Sequence, residues 1–152
     1  MTSAPAPLLE WNDQLLLGFA EIDAEHRTFV GHVRALQQAR GADEVTQQLN
    51  SFAAHARAHF NSEDQWMTST DFPPRQCHID EHAAVLKSVA EVQALVTAGN
   101  TAIVLSLADE LARWFPGHAQ HLDSALAAWL SKRRWNAAPV VLRRGVVGAP
   151  VV

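Results

Sequence analysis

The chain has 152 residues, a hydrophobic fraction of 48% and a formal net charge of −4 at pH 7. This length and composition predict one globular domain with a sizeable core and argue against a disordered chain. Every charged residue after position 123 is basic, so the preceding part of the chain is strongly acidic. An acidic body is not expected to bind nucleic acid.

The sequence does not predict a membrane-spanning or secreted protein. Its longest apolar runs are far shorter than the roughly 20 residues that cross a bilayer. Met1 to Pro7 contain no basic residue and no long apolar region, so they do not read as a secretory signal. Cys77 is the single cysteine, which excludes an internal disulfide. We therefore expect a cytoplasmic protein that has no membrane partner.

The two ends of the chain lack the helical pattern of the middle. Residues 1–20 are rich in apolar side chains without a clean period, and we expect an irregular N-terminal arm. Its apolar residues, Trp11 above all, should lie across the body. Residues 135–152 contain prolines and glycines and are predicted to form a loose C-terminal tail. The basic side chains of this tail are expected to be solvated, with docking of a protein partner as the alternative.

Between the two ends, four stretches repeat apolar residues three and four positions apart, which is the pattern of an amphipathic helix. Asp43 is a predicted N-cap, and Pro116 predicts a kink or a new helix start. Short breaks between the stretches favour an all-α, antiparallel up-down-up-down four-helix bundle over residues 21–134. The predicted helices cover about 21–39, 43–67, 75–98 and 101–132.

Residues that bind metals interrupt the apolar stripe of every predicted helix. His59 and Glu63 are four residues apart and would lie one turn apart on the inner face. A buried carboxylate needs a cation, because leaving it unpaired is costly. A lone buried histidine is more often a hydrogen-bonded core residue, but a shared metal site explains all the interruptions together. The residues concerned are His26, His59, Glu63, His78, His82, His118 and Asp123.

Asp123 fits this pattern least well. Five residues along a regular helix would rotate it about 140° away from His118. A local distortion of the helix would bring the two side chains together, and so would a position of Asp123 between two metals.

In their order and spacing these residues resemble the hemerythrin family, particularly its single-domain bacterial type. The resemblance covers about residues 11–130 and includes Trp11 and the segment 18–26. The Pro116-Gly117 pair is unusual in such a helix and leaves the angle of His118 open. The residues that carry the pattern are His26, His59, Phe60, Glu63, Asp64, His78, His82, Trp114, His118 and Asp123.

The resemblance implies a non-haem di-iron centre with an oxo or hydroxo bridge. Glu63 and Asp123 would bridge the two irons. Two six-coordinate irons need about 12 ligand positions. Five imidazoles, the two bridging carboxylates and the oxo or hydroxo bridge fill all but one of them. The open position would lie on the iron that has only two histidines. The histidines implied for the two irons are His78, His82 and His118 for one, and His26 and His59 for the other.

Such a centre implies a protein that binds O2 reversibly, for carriage, storage or delivery, and is not an enzyme. One alternative is a module that senses oxygen, nitric oxide or redox state. The other is a di-iron oxidase or peroxidase, which is less favoured because histidines outnumber carboxylates here. The predicted apolar pocket around the centre, which would exclude water, consists of Phe29, Phe60, Leu86 and Leu122.

The remaining candidate ligands receive less weight. His32 is interpreted as a surface residue, and His55 as a structural residue, with support of a ligand as the alternative. His121 could compete with His118 for the metal, but only His118 has the family's five-residue spacing to Asp123. Cys77 is interpreted as a reduced packing residue.

Overall fold

The computed structural model describes residues 4–137, with side chains described as far as residue 134. The described residues form helices and contain no strand, so the all-α prediction is confirmed. α1 contacts α2 and α4, and α3 contacts the same two helices, as in a four-helix bundle. Most of the predicted C-terminal tail lies outside the described residues. The helices are α1 (Ala20–Gln38), α2 (Ala42–Ser69), α3 (Arg75–Thr97), α4 (Ile103–His118) and α5 (Ser124–Ala137).

Glycines with positive φ mark two of the helix boundaries. Gly41, at φ 83°, precedes α2 and is its N-cap, so the prediction of Asp43 as the N-cap was wrong. Asp43 lies in the first turn instead, where its negative charge interacts favourably with the helix dipole. Gly99, at φ 97°, follows α3, and the N–H of Asn100 donates to the carbonyl of Leu95 at 2.9 Å. This arrangement stops α3 where the sequence predicted.

The N-terminal arm packs on the bundle through leucines more than through Trp11. Leu9 and Leu15 are buried, whereas Trp11 is half-buried beneath the guanidinium of Arg27. The side chain of Gln37, itself buried in α1, holds the arm in place. It accepts a 2.8 Å hydrogen bond from the backbone N–H of Leu9, and its amide N–H donates a hydrogen bond to the backbone carbonyl of Pro7.

A buried polar layer separates two apolar clusters inside the bundle. The larger cluster includes Phe29 and Phe60, and the smaller one includes Ile22, Met67 and Leu126. The seven candidate ligands occupy the levels between them along the helices, so apolar side chains cover the polar layer on both sides. The position of the layer follows from the sequence, because each candidate ligand except Asp123 replaces an apolar residue within a helical stripe.

The last helical stretch changes register after His118. Pro116 lies inside α4, which continues to His118, so of the two predicted outcomes a new helix start just before His118 was wrong. A π-helical segment, Ala119–Asp123, follows instead. In a π-helix hydrogen bonds join residues i and i+5, so Asp123 lies one turn beyond His118 on the same face. Of the two ways to reconcile Asp123 with the site, a local distortion is therefore present.

The π segment also explains why the predicted inner face was wrong beyond His118. A regular helical period continued from His118 predicts Leu122 and Ala125 on the inner face, but Leu122 is half-buried and Ala125 is exposed. Leu126 and Leu130 are buried in their place. They lie one residue later than a regular 3.6-residue period predicts, since the π segment accommodates one additional residue.

Deleting the exposed Gln120 from the π segment is expected to give a continuous α-helix and to cost only about 1–2 kcal/mol of unfolding free energy. The deletion removes the additional residue, so Leu126 and Leu130 keep their places in the core. Circular dichroism and chemical denaturation of the chain would measure the effect.

Deleting the exposed Glu110 from the regular part of α4 is the matched control. It rotates Val104 and Leu107 away from the core relative to the rest of α4. Its expected cost is about 3–6 kcal/mol, since burial of each such side chain contributes about 1.5–3 kcal/mol. Equal costs for the two deletions would contradict this account of the π segment.

Candidate metal centre

All seven sequence-predicted ligands are buried and meet at the centre of the bundle. Each side chain belongs to a different turn of α1 to α4 or of the π segment, and each residue is at most 4% exposed. Their donor atoms form two groups that share Glu63, and the atoms within each group lie within 4.8 Å of one another. The first group is Glu63, His78, His82, His118 and Asp123, and the second is His26, His59 and Glu63.

The carboxylate of Glu63 turns one oxygen toward each set of histidines. Oε1 lies 3.4 Å from Nε2 of His59 and 3.8 Å from Nε2 of His26. Oε2 lies 3.2 Å from Nε2 of His82 and 3.5 Å from Nε2 of His78. The carboxylate therefore spans the space between two histidines on one side and two on the other.

Asp123 repeats this arrangement from the opposite wall. Its Oδ2 lies 3.0 Å from Nε2 of His26. Its Oδ1 lies 2.9 Å from Nε2 of His78 and 3.3 Å from Nε2 of His118. Both carboxylates thus divide their oxygens between the same two halves of the site, which we call the two-histidine half (His26 and His59) and the three-histidine half (His78, His82 and His118).

The converging atoms do not satisfy one another by hydrogen bonding. All four carboxylate oxygens are buried without a hydrogen-bond partner among the described residues. The Nε2 atoms of His26, His78, His82 and His118 are also buried and have no hydrogen-bond partner among the described residues. Buried polar groups are rarely left unpaired, because desolvation without a partner is costly. Imidazole nitrogens and carboxylate oxygens directed at common points are a donor set that fits transition-metal cations.

Strong opposing effects act on the pKa values in this cluster. Burial disfavours the charged form of both acids, but the surrounding histidines outweigh it and hold the pKa of Glu63 and of Asp123 below the usual range. Burial also disfavours protonated His26 and His78, yet the Asp123 and Glu63 carboxylates raise the pKa of each histidine to about 9. A cation that binds these nitrogens would compete with protons for them.

Two further acids orient imidazoles of the three-histidine half from behind. Oδ1 of Asp64 lies 2.7 Å from Nδ1 of His82, and Oε1 of Glu81 lies 2.9 Å from Nδ1 of His118. Trp114 donates from its indole N–H to the same Glu81 oxygen at 2.8 Å. These contacts direct each Nε2 toward the centre. Sequence reasoning gave Glu81 no role, although an acid directly before His82 could have been considered.

Replacing Glu81 with alanine is expected to weaken metal binding about 10- to 100-fold while leaving the fold intact. The reason is that His118 loses the partner that fixes its tautomer and ring angle. Metal affinity of the purified chain, measured by competition with a chelator, would give the change. Asp80→Ala is the matched control, because this exposed acid contacts only Gln76 among the described hydrogen bonds and should leave affinity unchanged. Equal affinities in the two variants would contradict the orienting role.

Aromatic side chains cover the two-histidine half. Phe115 lies edge-on to His26 at a ring distance of 5.1 Å and stacks on Phe29 at 4.8 Å. Phe60 stacks on His82 at 4.1 Å, on the other half. The predicted apolar wall is therefore present for Phe29 and Phe60. Phe115 was missed, because the sequence pattern placed its neighbour Trp114 on the inner face.

The remaining predictions had mixed outcomes. Leu86 is half-buried and lines a surface groove together with Asp64. His121 is exposed and does not compete with His118 for the site. Cys77 is also exposed, so its interpretation as a packing residue was wrong. His32 is half-buried rather than fully solvated, and His55 lies directly beside His59 with parallel rings 5.8 Å apart.

Among the described residues, the structure contains no helix long and apolar enough to span a membrane.

Comparisons with known proteins identify the family to which this chain belongs. Residues 17–130 match the family model described as the hemerythrin HHE cation binding domain. A bacteriohemerythrin of Ralstonia nicotianae is 38% identical over 127 residues, which cover 84% of this chain and 92% of that protein. A bacteriohemerythrin of Stenotrophomonas maltophilia is 28% identical over 123 residues, covering 79% and 80% respectively. The chain therefore belongs to the hemerythrin family, as its ligand pattern indicated.

Proposed function

We propose that this chain holds two iron ions and binds O2 reversibly at them, for carriage, storage or delivery. The three-histidine half would hold one iron and the two-histidine half the other. Glu63 and Asp123 would bridge them. The observation that carries this proposal is the division of each carboxylate, one oxygen toward each half, at distances of 2.9–3.8 Å from the histidine nitrogens.

The unequal number of histidines supports O2 as the ligand. With both carboxylates shared, the two-histidine half offers one donor fewer than the three-histidine half. A di-iron pair held by these residues would supply an open coordination position and the two electrons that reversible binding of O2 requires. The chain itself makes the two halves unequal. Both halves share the same two carboxylates, but one half has three imidazoles and the other has two.

The surroundings of the open half suit a small apolar ligand. Phe29 and Phe115 are at most 1% exposed, and Phe115 packs on His26 while Phe29 packs on Phe115 and near His59, so they exclude bulk water from this half. Exclusion of water slows loss of electrons from the centre to solvent species. Asp64 and Glu81 act on the opposite half, where they hold His82 and His118 in their ligating orientation.

Reversible binding is favoured over oxidase or peroxidase turnover by the composition of the donor set. Di-iron carboxylate enzymes in helical bundles use mainly glutamates with a Glu-x-x-His spacing. Here five neutral imidazoles face two carboxylates, and neutral ligands favour the ferrous state. The chain is accordingly proposed not to be an enzyme.

Spectra of the iron-loaded chain under alternating O2 and argon test this function. We expect an absorption band that appears with O2 and disappears on its removal over repeated cycles. Rates of peroxide consumption and of ferrous iron oxidation are measured on the same sample. Sustained turnover without a reversible band would contradict the proposal and favour an oxidase or peroxidase.

A further inference from the structure

Three side chains of metal-binding type lie outside the proposed di-iron ligand set, on the side of its two-histidine half. Glu25 and His32 belong to α1, and His55 belongs to α2 one turn before His59. Neither Glu25 nor His32 belongs to a compact group of donor atoms, and the same holds for His55. We refer to these three residues as the outer triad.

The outer triad is continuous with the metal centre. Oε2 of Glu25 lies 3.8 Å from Nδ1 of His55 and 3.9 Å from Nδ1 of His59. The rings of His55 and His59 are parallel, with centroids 5.8 Å apart. The ring of His32 lies 5.1 Å from that of His55 on the outer side. The triad therefore forms a series of adjacent donor groups that ends at a proposed iron ligand.

The exposed fraction of the side chain falls from Glu25 through His55 to His59. The side chain of Glu25 is 44% exposed, that of His55 is 12% exposed and that of His59 is 2% exposed. An ion can thus reach Glu25 from solvent, whereas His26 and His59 cannot be reached directly. A series that connects solvent to the buried half is what loading of a closed bundle requires.

Packing leaves part of the hydrogen-bonding capacity of His55 unused. Its Nε2 is buried and has no hydrogen-bond partner among the described residues. Its Nδ1 lies 3.8 Å from the Glu25 carboxylate, beyond hydrogen-bond distance. The acids near the three-histidine half differ, because Asp64 and Glu81 are held by imidazoles at 2.7 and 2.9 Å. The donor atoms of the outer triad are not held in this way.

We propose that the outer triad is an uptake site for divalent metal, which captures Fe2+ from solvent and passes it to the two-histidine half. Carboxylate and imidazole together are suitable ligands for this cation. The negative charge of Glu25 raises the local concentration of cations at the mouth of the route. This inference rests on the proposed di-iron site and concerns how that site is filled.

The test is the rate at which the metal-free chain takes up ferrous iron under argon. Samples are mixed with ferrous ammonium sulfate, challenged with a ferrous chelator at successive times and separated by gel filtration, and retained iron is measured. His55→Leu and Glu25→Gln are expected to slow uptake roughly tenfold or more. Both variants should reach the same final content as the unmodified chain. His121→Leu, at an exposed histidine outside the triad, should load at the unmodified rate.

Each result decides the matter. Slower uptake with an unchanged final content supports the uptake site. Uptake of either folded variant within twofold of the unmodified chain overturns it, and so does a reduced final content, which would show that the triad only supports the structure of the centre. Glu25→Gln keeps the test usable if His55→Leu fails to fold, since the Glu25 side chain is 44% exposed and glutamine has nearly the same shape. If the unmodified chain itself retains no iron, the proposed function fails instead.

Discussion

Glu63→Gln is expected to reduce the iron bound per chain from two ions to one or none. Glutamine has nearly the same shape as glutamate but is neutral, and its amide nitrogen cannot ligate a cation as the carboxylate does. Because Oε1 and Oε2 face different halves of the site, the single amide oxygen can serve only one proposed iron, and the other iron loses a ligand. Metal analysis of the purified variant would measure the loss, and the reversible O2 band should disappear with it.

Two comparisons separate loss of a bridge from loss of the fold. Circular dichroism should show unchanged helix content, because glutamine fills the same volume within the buried layer. Glu91→Gln, on the exposed face of α3, should retain two irons. Two irons and a reversible O2 band in the Glu63 variant would contradict the bridging role.

Removal of the metal is expected to lower the midpoint of thermal unfolding by roughly 10 °C. A ligand that binds only the folded state stabilises it by about 4 kcal/mol at a thousandfold excess over its dissociation constant. For a chain of this size, about 1 kcal/mol corresponds to roughly 2–4 °C. The measurement is calorimetry of the iron-loaded chain before and after treatment with a chelator under argon.

The physical reason lies in the buried polar layer. Without a cation, five imidazoles and two carboxylates remain desolvated, and many of their donor atoms have no hydrogen bond. Readdition of ferrous iron should restore the original midpoint, which separates metal loss from irreversible damage. An unchanged midpoint after complete removal would show that the layer is stable without metal.

Much of this site could be predicted because its ligands interrupt helical stripes. His59 and Glu63, four residues apart within one apolar face, already indicated a buried cation site. The helices agree with prediction to within about two residues at most ends, since amphipathic periods and glycine breaks are local signals. The antiparallel order of the helices stays a prediction.

The errors arose where neighbouring helices or a backbone distortion determine the outcome. A period of 3.6 residues cannot reveal a π segment, so Leu122 was predicted inside and Leu126 was overlooked. The orienting role of Glu81 depends on His118, which lies 37 residues away in the chain. Phe115 was missed because the pattern assigned the inner position to Trp114. Such relations depend on which helices pack together.

Anomalous diffraction at the iron edge, from crystals of the iron-loaded chain, tests the central claim most directly. The account predicts two iron peaks in the buried layer, one among His78, His82 and His118 and the other beside His26 and His59. One oxygen of Glu63 and one of Asp123 should ligate each iron. A single peak, or two peaks that share neither carboxylate, would contradict it.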